Sequence, residues 1–105
     1  MSAGRITSYR RGSLTFDVTD RGPLDGEPVV LLHGFPERAT SWGAVGSLLG
    51  EQGLRTYAPD QRGYSPGARP FGRWSYRICD LVDDVVALSE AIGSPVHLVG
   101  HDWGA

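Results

Sequence analysis

Three short apolar runs, Pro28–Leu32, Leu54–Ala58 and Val96–Val99, alternate with two segments of helical period, and this alternation constrains the fold more than any other feature. The first run is apolar on both faces, as strands are when a parallel sheet is covered on both sides. The first helical segment runs to about Gly50 with Trp42, Val45, Leu48 and Leu49 on one face, and Thr40 or Ser41 is its candidate cap. In the second, Ile78, Leu81, Val82, Val85, Leu88 and Ile92 recur at three- and four-residue steps, with Ser75 as candidate cap. Gly53 and Gly93 mark the two exits. Strand, helix, strand, helix, strand implies parallel strands joined by right-handed crossovers. Ahead of this unit, Ile6–Tyr9 and Leu14–Asp20 read as a hairpin turning at Gly12, and Asp20–Pro28 reads as a loop. The expectation is a single α/β domain over residues 1–105, with five strands in a mostly parallel sheet and two main helices.

Composition narrows the partners. The chain has 105 residues, 40% apolar and 21% charged, with a formal net charge of -2, so it is an ordinary globular mix. No basic block points to nucleic acid or an anionic membrane, and Arg10-Arg11 reads as solvated surface. No run is long enough to span a bilayer, and the first residues lack the apolar core of a secretory signal. The single cysteine, Cys79, excludes an internal disulfide framework and a Cys-rich metal site; it falls in the apolar pattern of the second helix and reads as a packing residue. The default location is the cytoplasm. Asp80, Asp83 and Asp84 read as a solvated helix face rather than a metal site.

In sheets of this kind, chemistry gathers at the carboxyl ends of the strands. Three polar motifs stand there: His33-Gly34-Phe35-Pro36, Asp60-Gln61-Arg62-Gly63 and Gly100-His101-Asp102-Trp103-Gly104. A side chain at a sharp strand-to-helix turn is exposed and nearly immobile, and small residues must flank it because backbone atoms come close. Gly100 and Gly104 meet that need around Asp102. Two readings of Asp102 follow, a nucleophile at the tip of the turn or the cap of a following helix.

The stretches "LLHGFPE", "DQRGY" and "GHDWGA", in that order, resemble the α/β-hydrolase family from about Pro28 to the last residue. The resemblance implies a partial α/β-hydrolase fold, truncated at the nucleophile elbow, with strands in the spatial order 1-2-4-3-5 and the last strand at an open edge. It implies Asp102 as nucleophile, and backbone N–H groups of Phe35 and Trp103 as an oxyanion hole. It also implies a cis bond between Phe35 and Pro36. His33, Gly34, Pro36, Glu37, Gly100, His101 and Gly104 support that site. His33 braces the oxyanion loop, His101 is a packed or hydrogen-bonded framework residue, and His97 is structural. Glu37 either orients the hydrolytic water or is a first-turn acid favoured by the helix dipole. Trp103 walls the pocket or offers its indole N–H to a leaving halide. Asp60 and Arg62 tie down a loop, and Tyr64 lines the pocket. The family usually shows Arg-Gly-x-Gly-x-Ser where this chain reads Arg62-Gly63-Tyr64-Ser65-Pro66-Gly67, a departure that leaves the loop's shape open.

An aspartate nucleophile selects the electrophile. At saturated carbon a serine would leave a dead-end ether, whereas a carboxylate leaves an ester whose own carbonyl water can attack. The substrate implied is thus a small molecule, an epoxide or an alkyl halide, handled without cofactor or metal. Phe35 cannot hydrogen-bond through its side chain, which tips the reading toward epoxide hydrolase over haloalkane dehalogenase. A non-catalytic relative that kept the fold is the third reading. In this family the acid and the base histidine follow the nucleophile, as does the cap domain. The expectation is an N-terminal part of a larger core domain that does not turn over alone.

Overall fold

The computed structural model describes residues 4–34, 39–72 and 76–101. The elements in chain order are β1 (Ser8–Arg11), β2 (Leu14–Arg21), β3 (Glu27–Leu32), a 3-10 turn (Ala39–Trp42), α1 (Gly43–Glu51), β4 (Leu54–Pro59), α2 (Ile78–Ile92) and β5 (His97–Gly100). The strands form one five-stranded sheet in the order β1-β2-β4-β3-β5, as the resemblance implies. Strand β3 pairs in parallel with β4 on one side and with β5 on the other. The hairpin reverses the chain, so β1–β2 and β2–β4 are antiparallel and the sheet is mixed.

Alternation along β3 sorts the core into two layers. Val29 and Leu31 face one side with Ala39 and Ala58, against which Trp42, Leu49 and Leu54 pack. Val30 and Leu32 face the other side with Tyr9, Phe16, Val18, Tyr57, Ala68 and Leu88. Helix α1 thus covers one face and α2 the other. Tyr9 and Phe16 are cross-strand partners in the hairpin, and their rings stack at 4.8 Å. Burial pushes the Tyr9 phenol far above its ordinary value, and the Asp84 charge pushes the same way.

Several details differ from expectation. Thr40 and Ser41 lie inside the 3-10 turn, so the position before α1 is Trp42 and no side chain caps the helix. Gly46 is the buried residue of α1, while Val45 and Leu48 are exposed. Helix α2 starts after Arg77, again without a side-chain cap, and Ser75 lies outside the described residues. Its buried stripe is centred on Asp84 and Leu88, so Ile78, Val82 and Cys79 are exposed rather than packed. Gly93 ends α2 in the left-handed conformation at φ 82°, where a Cβ would be strained. β5 lies at the sheet edge, as expected, and all four of its residues are exposed.

A buried carboxylate fastens the amino-terminal segment. Asp20 accepts from the Ile6 N–H (2.7 Å), from Arg5 (3.0 Å) and from two nitrogens of Arg55. Burial alone would raise its pKa, but the Arg55, Ile6 and Arg5 hydrogen bonds outweigh it and hold the carboxyl below its usual value.

Two outcomes follow from this packing. Leu88 is fully buried between α2 and the sheet, so Leu88→Ala should cost about 2–5 kcal/mol, read by urea unfolding. Asp20 is deprotonated more easily folded than unfolded. Its contribution is complete above the ordinary carboxyl value of about 4 and is lost as pH falls from there toward the depressed native value. The Tm gap between the native chain and Asp20→Asn should therefore narrow as pH falls through that window.

Candidate active site

The carboxyl ends of β3, β4 and β5 share one edge of the sheet because the three strands are parallel. Leu32 is the register partner of Gly100, and the His101 N–H extends the ladder to the Leu32 carbonyl at 3.2 Å. The His33-Gly34 turn and the Gly100-His101 turn therefore start side by side although they are far apart in sequence. The loop after β4 is stitched to both neighbours. The Asp60 carboxylate accepts the Ala39 N–H at 2.7 Å, and the Asp60 N–H donates to the Asp17 carbonyl at 2.9 Å.

His33 is buried and spoken for on both sides. Its Nε2 accepts the Gln61 N–H at 3.0 Å, and a backbone amide can only donate, so the ring proton is on Nδ1. That Nδ1–H donates to the Gly34 carbonyl at 3.0 Å. The Gln61 side-chain amide returns to the His33 carbonyl at 2.7 Å. Tyr64 meets the His33 ring edge-on, with centroids 4.7 Å apart. His33 thus ties the end of β3 to the loop after β4.

The loop's departure from the usual glycine pattern is resolved by Ser65, which is fully buried. Its hydroxyl accepts the Asp17 N–H at 2.9 Å and donates to the Asp60 carbonyl. Gly63 turns at φ 91°, and a Cβ there would stand 3.1 Å from the Tyr76 ring. Its N–H donates to the Ala68 carbonyl at 2.8 Å, closing the loop on itself.

Arg62 and Asp84 form a buried bidentate pair, with both N–H···O contacts at 2.8 Å. Asp84 also receives Arg11 at 3.1 Å, and Arg11 reaches Asp80 and Asp83. The acidic group on α2 is therefore not simply a solvated face, and Arg11 is not free surface: one carboxylate is buried and pairs with two guanidiniums. His33, Gly34, Gln61, Arg62, Tyr64, Tyr76 and Leu81 line a cavity of about 310 Å³ at this edge. Tyr64 lines it as expected.

His101 is exposed, and of the two readings, packed or hydrogen-bonded, the structure shows a hydrogen bond, from its N–H to the Leu32 carbonyl. His97 is exposed at the start of β5, with its Nε2 against the Glu27 carboxylate at the amino ends of the strands. Phe35, Pro36, Glu37, Asp102, Trp103 and Gly104 lie outside the described residues, and with them the Phe35–Pro36 bond. Among the described residues no group of His, Cys, Asp and Glu could hold a metal ion, and no helix is long and apolar enough to cross a membrane. Sequence reasoning missed Gln61 and the Arg62–Asp84 pair. Their partners are set by the register between loops, and nothing local announces it.

A mixed sheet whose β4-β3-β5 part is parallel, flanked by helices on both faces and with polar loops at one edge, defines an α/β fold of the doubly covered kind. The family model for the alpha/beta hydrolase fold matches residues 27–105, and the chain belongs to that family. The chain is 43% identical over 97 residues to epoxide hydrolase B of Mycobacterium tuberculosis (strain ATCC 25618 / H37Rv), covering 90% of this chain and 27% of that protein. It is 42% identical over 92 residues to the AB hydrolase superfamily protein YfhM of Bacillus subtilis (strain 168), covering 87% and 32%. Among solved structures, epoxide hydrolase VrEH1 from Vigna radiata superposes with a TM-score of 0.81 at 39% identity, covering 93% of this chain and 33% of that one. Epoxide hydrolase A from Mycobacterium thermoresistibile gives 0.85 at 36%, covering 92% and 31%. The chain spans about a third or less of the relatives it matches.

The buried pair yields a test. Asp84→Ala removes the carboxylate paired with the buried Arg62 guanidinium and should cost about 3–5 kcal/mol in urea unfolding, whereas the double replacement Arg62→Met with Asp84→Leu should recover most of that loss.

Proposed function

We propose that this chain carries the nucleophile and oxyanion end of an epoxide hydrolase. The supporting observation is the pairing of Leu32 with Gly100, which starts the His33-Gly34 turn and the Gly100-His101 turn next to each other beside the cavity. The epoxide hydrolases among its relatives point to the same substrate class.

In this reading Asp102 is the nucleophile, and the backbone N–H groups of Phe35 and Trp103 are the oxyanion donors. The Asp102 carboxylate attacks one epoxide carbon, the ring C–O bond breaks, and the alkoxide takes a proton from an acid. The product is an ester on Asp102. A general base then removes a proton from water as its oxygen attacks the ester carbonyl. The N–H donors stabilise the charge that develops on the carbonyl oxygen. On collapse the leaving alkoxide takes the proton held by the base, and the proton left by the added water returns to the acid, which releases a vicinal diol and restores the carboxylate and the acid. The net change is addition of one water. His33 is excluded as the base because both its nitrogens are already engaged. The family's order of nucleophile, acid and histidine assigns the base to a later position.

The oxygen that leaves with the diol comes from Asp102, not from the solvent. A single turnover in ¹⁸O-water, by protein expressed from its complete reading frame, should thus label the peptide containing Asp102 and leave the first diol unlabelled. Label in the first diol would sink the ester mechanism. Asp102→Ala should lower epoxide turnover by about 10⁴-fold or more.

A further inference from the structure

The cavity at the carboxyl edge has walls whose polar groups are directed elsewhere, and this decides what it can hold. Both His33 nitrogens are engaged, Nε2 by the Gln61 N–H and Nδ1 by the Gly34 carbonyl. The Gln61 amide donates to the His33 carbonyl at 2.7 Å. Arg62 sends two nitrogens to Asp84, and the Tyr76 hydroxyl donates to the Pro70 carbonyl at 2.8 Å. What remains to face the space is largely carbon, from the Tyr64 and Tyr76 rings and from Leu81. Leu81 is the informative residue. It falls in the apolar pattern of α2, yet it belongs to neither layer of the core. A half-buried leucine outside the core still has apolar surface to cover, and the cavity is where that surface lies.

We infer that this cavity seats a ring-bearing apolar substituent of the epoxide, with Leu81 as a specificity-determining residue that touches the substituent and not the reacting carbons. The inference rests on the proposed function and adds a substrate class to it. Volume sets the size of the group. The cavity of about 310 Å³ is about twice the roughly 150 Å³ that suffices for benzene, so a phenyl group enters with room to spare. The walls favour a ring over an alkyl chain. Tyr64 already meets the His33 ring edge-on, and tyrosines lining a pocket offer a bound ring the same edge-to-face and offset contacts. A strongly hydrated substituent would give up its water to walls of this kind. Position links the seat to the chemistry. The cavity begins at the His33-Gly34 turn, which the Leu32–Gly100 pairing sets beside the Gly100-His101 turn.

The experiment compares benzyloxirane with propylene oxide, which carry the same oxirane on a saturated carbon and differ in the ring. Protein expressed from its complete reading frame should favour benzyloxirane by about tenfold or more in kcat/KM, since even one methylene in an apolar pocket is worth about that much. Leu81→Trp fills part of the cavity. It should raise KM for benzyloxirane about tenfold with kcat within about twofold, the mark of lost binding rather than lost chemistry. Both constants for propylene oxide should stay within about twofold. Equal turnover of the two epoxides by the unsubstituted protein overturns the seat and leaves the hydrolase reading intact. So does a Leu81→Trp protein that changes both substrates alike or neither, the pattern expected if another part of the complete protein fills the cavity. Absence of diol from any epoxide overturns both readings. A Leu81→Trp protein that unfolds is replaced by Leu81→Ala, which removes the wall contact. It should again raise KM for benzyloxirane and not for propylene oxide, and a change in both or in neither counts against the seat.

Discussion

The burial of β3 on both faces is the constraint from which the rest of the structure follows. A strand with apolar side chains pointing both ways cannot lie at a solvated surface. Val29 and Leu31 require a layer on one side, Val30 and Leu32 a layer on the other. Only a crossover long enough to hold a helix can bring the next parallel strand alongside. Each helix then covers the face its crossover passes over. With β4 and β5 set parallel to β3, the three polar loops have no choice but to meet at the carboxyl edge.

That edge is organised by hydrogen bonds rather than by apolar contact. The loop after β4 has few large apolar side chains to bury, and Ala68 is the one that reaches the main core. Its shape comes from Asp60, Ser65, Gln61 and Arg62, each of which satisfies backbone or side-chain groups on a neighbouring segment. Buried polar groups are costly alone and specific when paired. A loop held this way has a defined geometry without a rigid element beneath it.

The strands and helices were legible because their signals are periodic. Helix α2 begins at Ile78 and ends at Gly93, as its three- and four-residue steps require. The choice of buried face was less legible. Val82 and Ile78 fit the apolar pattern but are exposed, because the buried stripe gives Asp84 a place, and a charge in that stripe looks like an error until its guanidinium partners are known. The same holds for Gln61, an ordinary polar residue whose importance is created by register with His33. Caps failed for a related reason. The 3-10 turn shifts the entry of α1 past Thr40 and Ser41, and no property of those two residues foretells that turn. What is periodic can be read from a single chain; what depends on one atom meeting another across the sheet cannot.

The Asp84 carboxylate lies between Arg62, at the rim of the cavity, and Arg11, at the end of β1. The hairpin containing Arg11 precedes residue 27, where the family match begins. The relatives, however, match nearly the whole chain, hairpin included. Electrically the hairpin belongs to the cleft, since one anion serves a cation in each. The boundary of the recognisable domain and the boundary of the site are different lines. A change in the hairpin's charge alters the field in which Arg62 stands, although the two lie far apart in sequence.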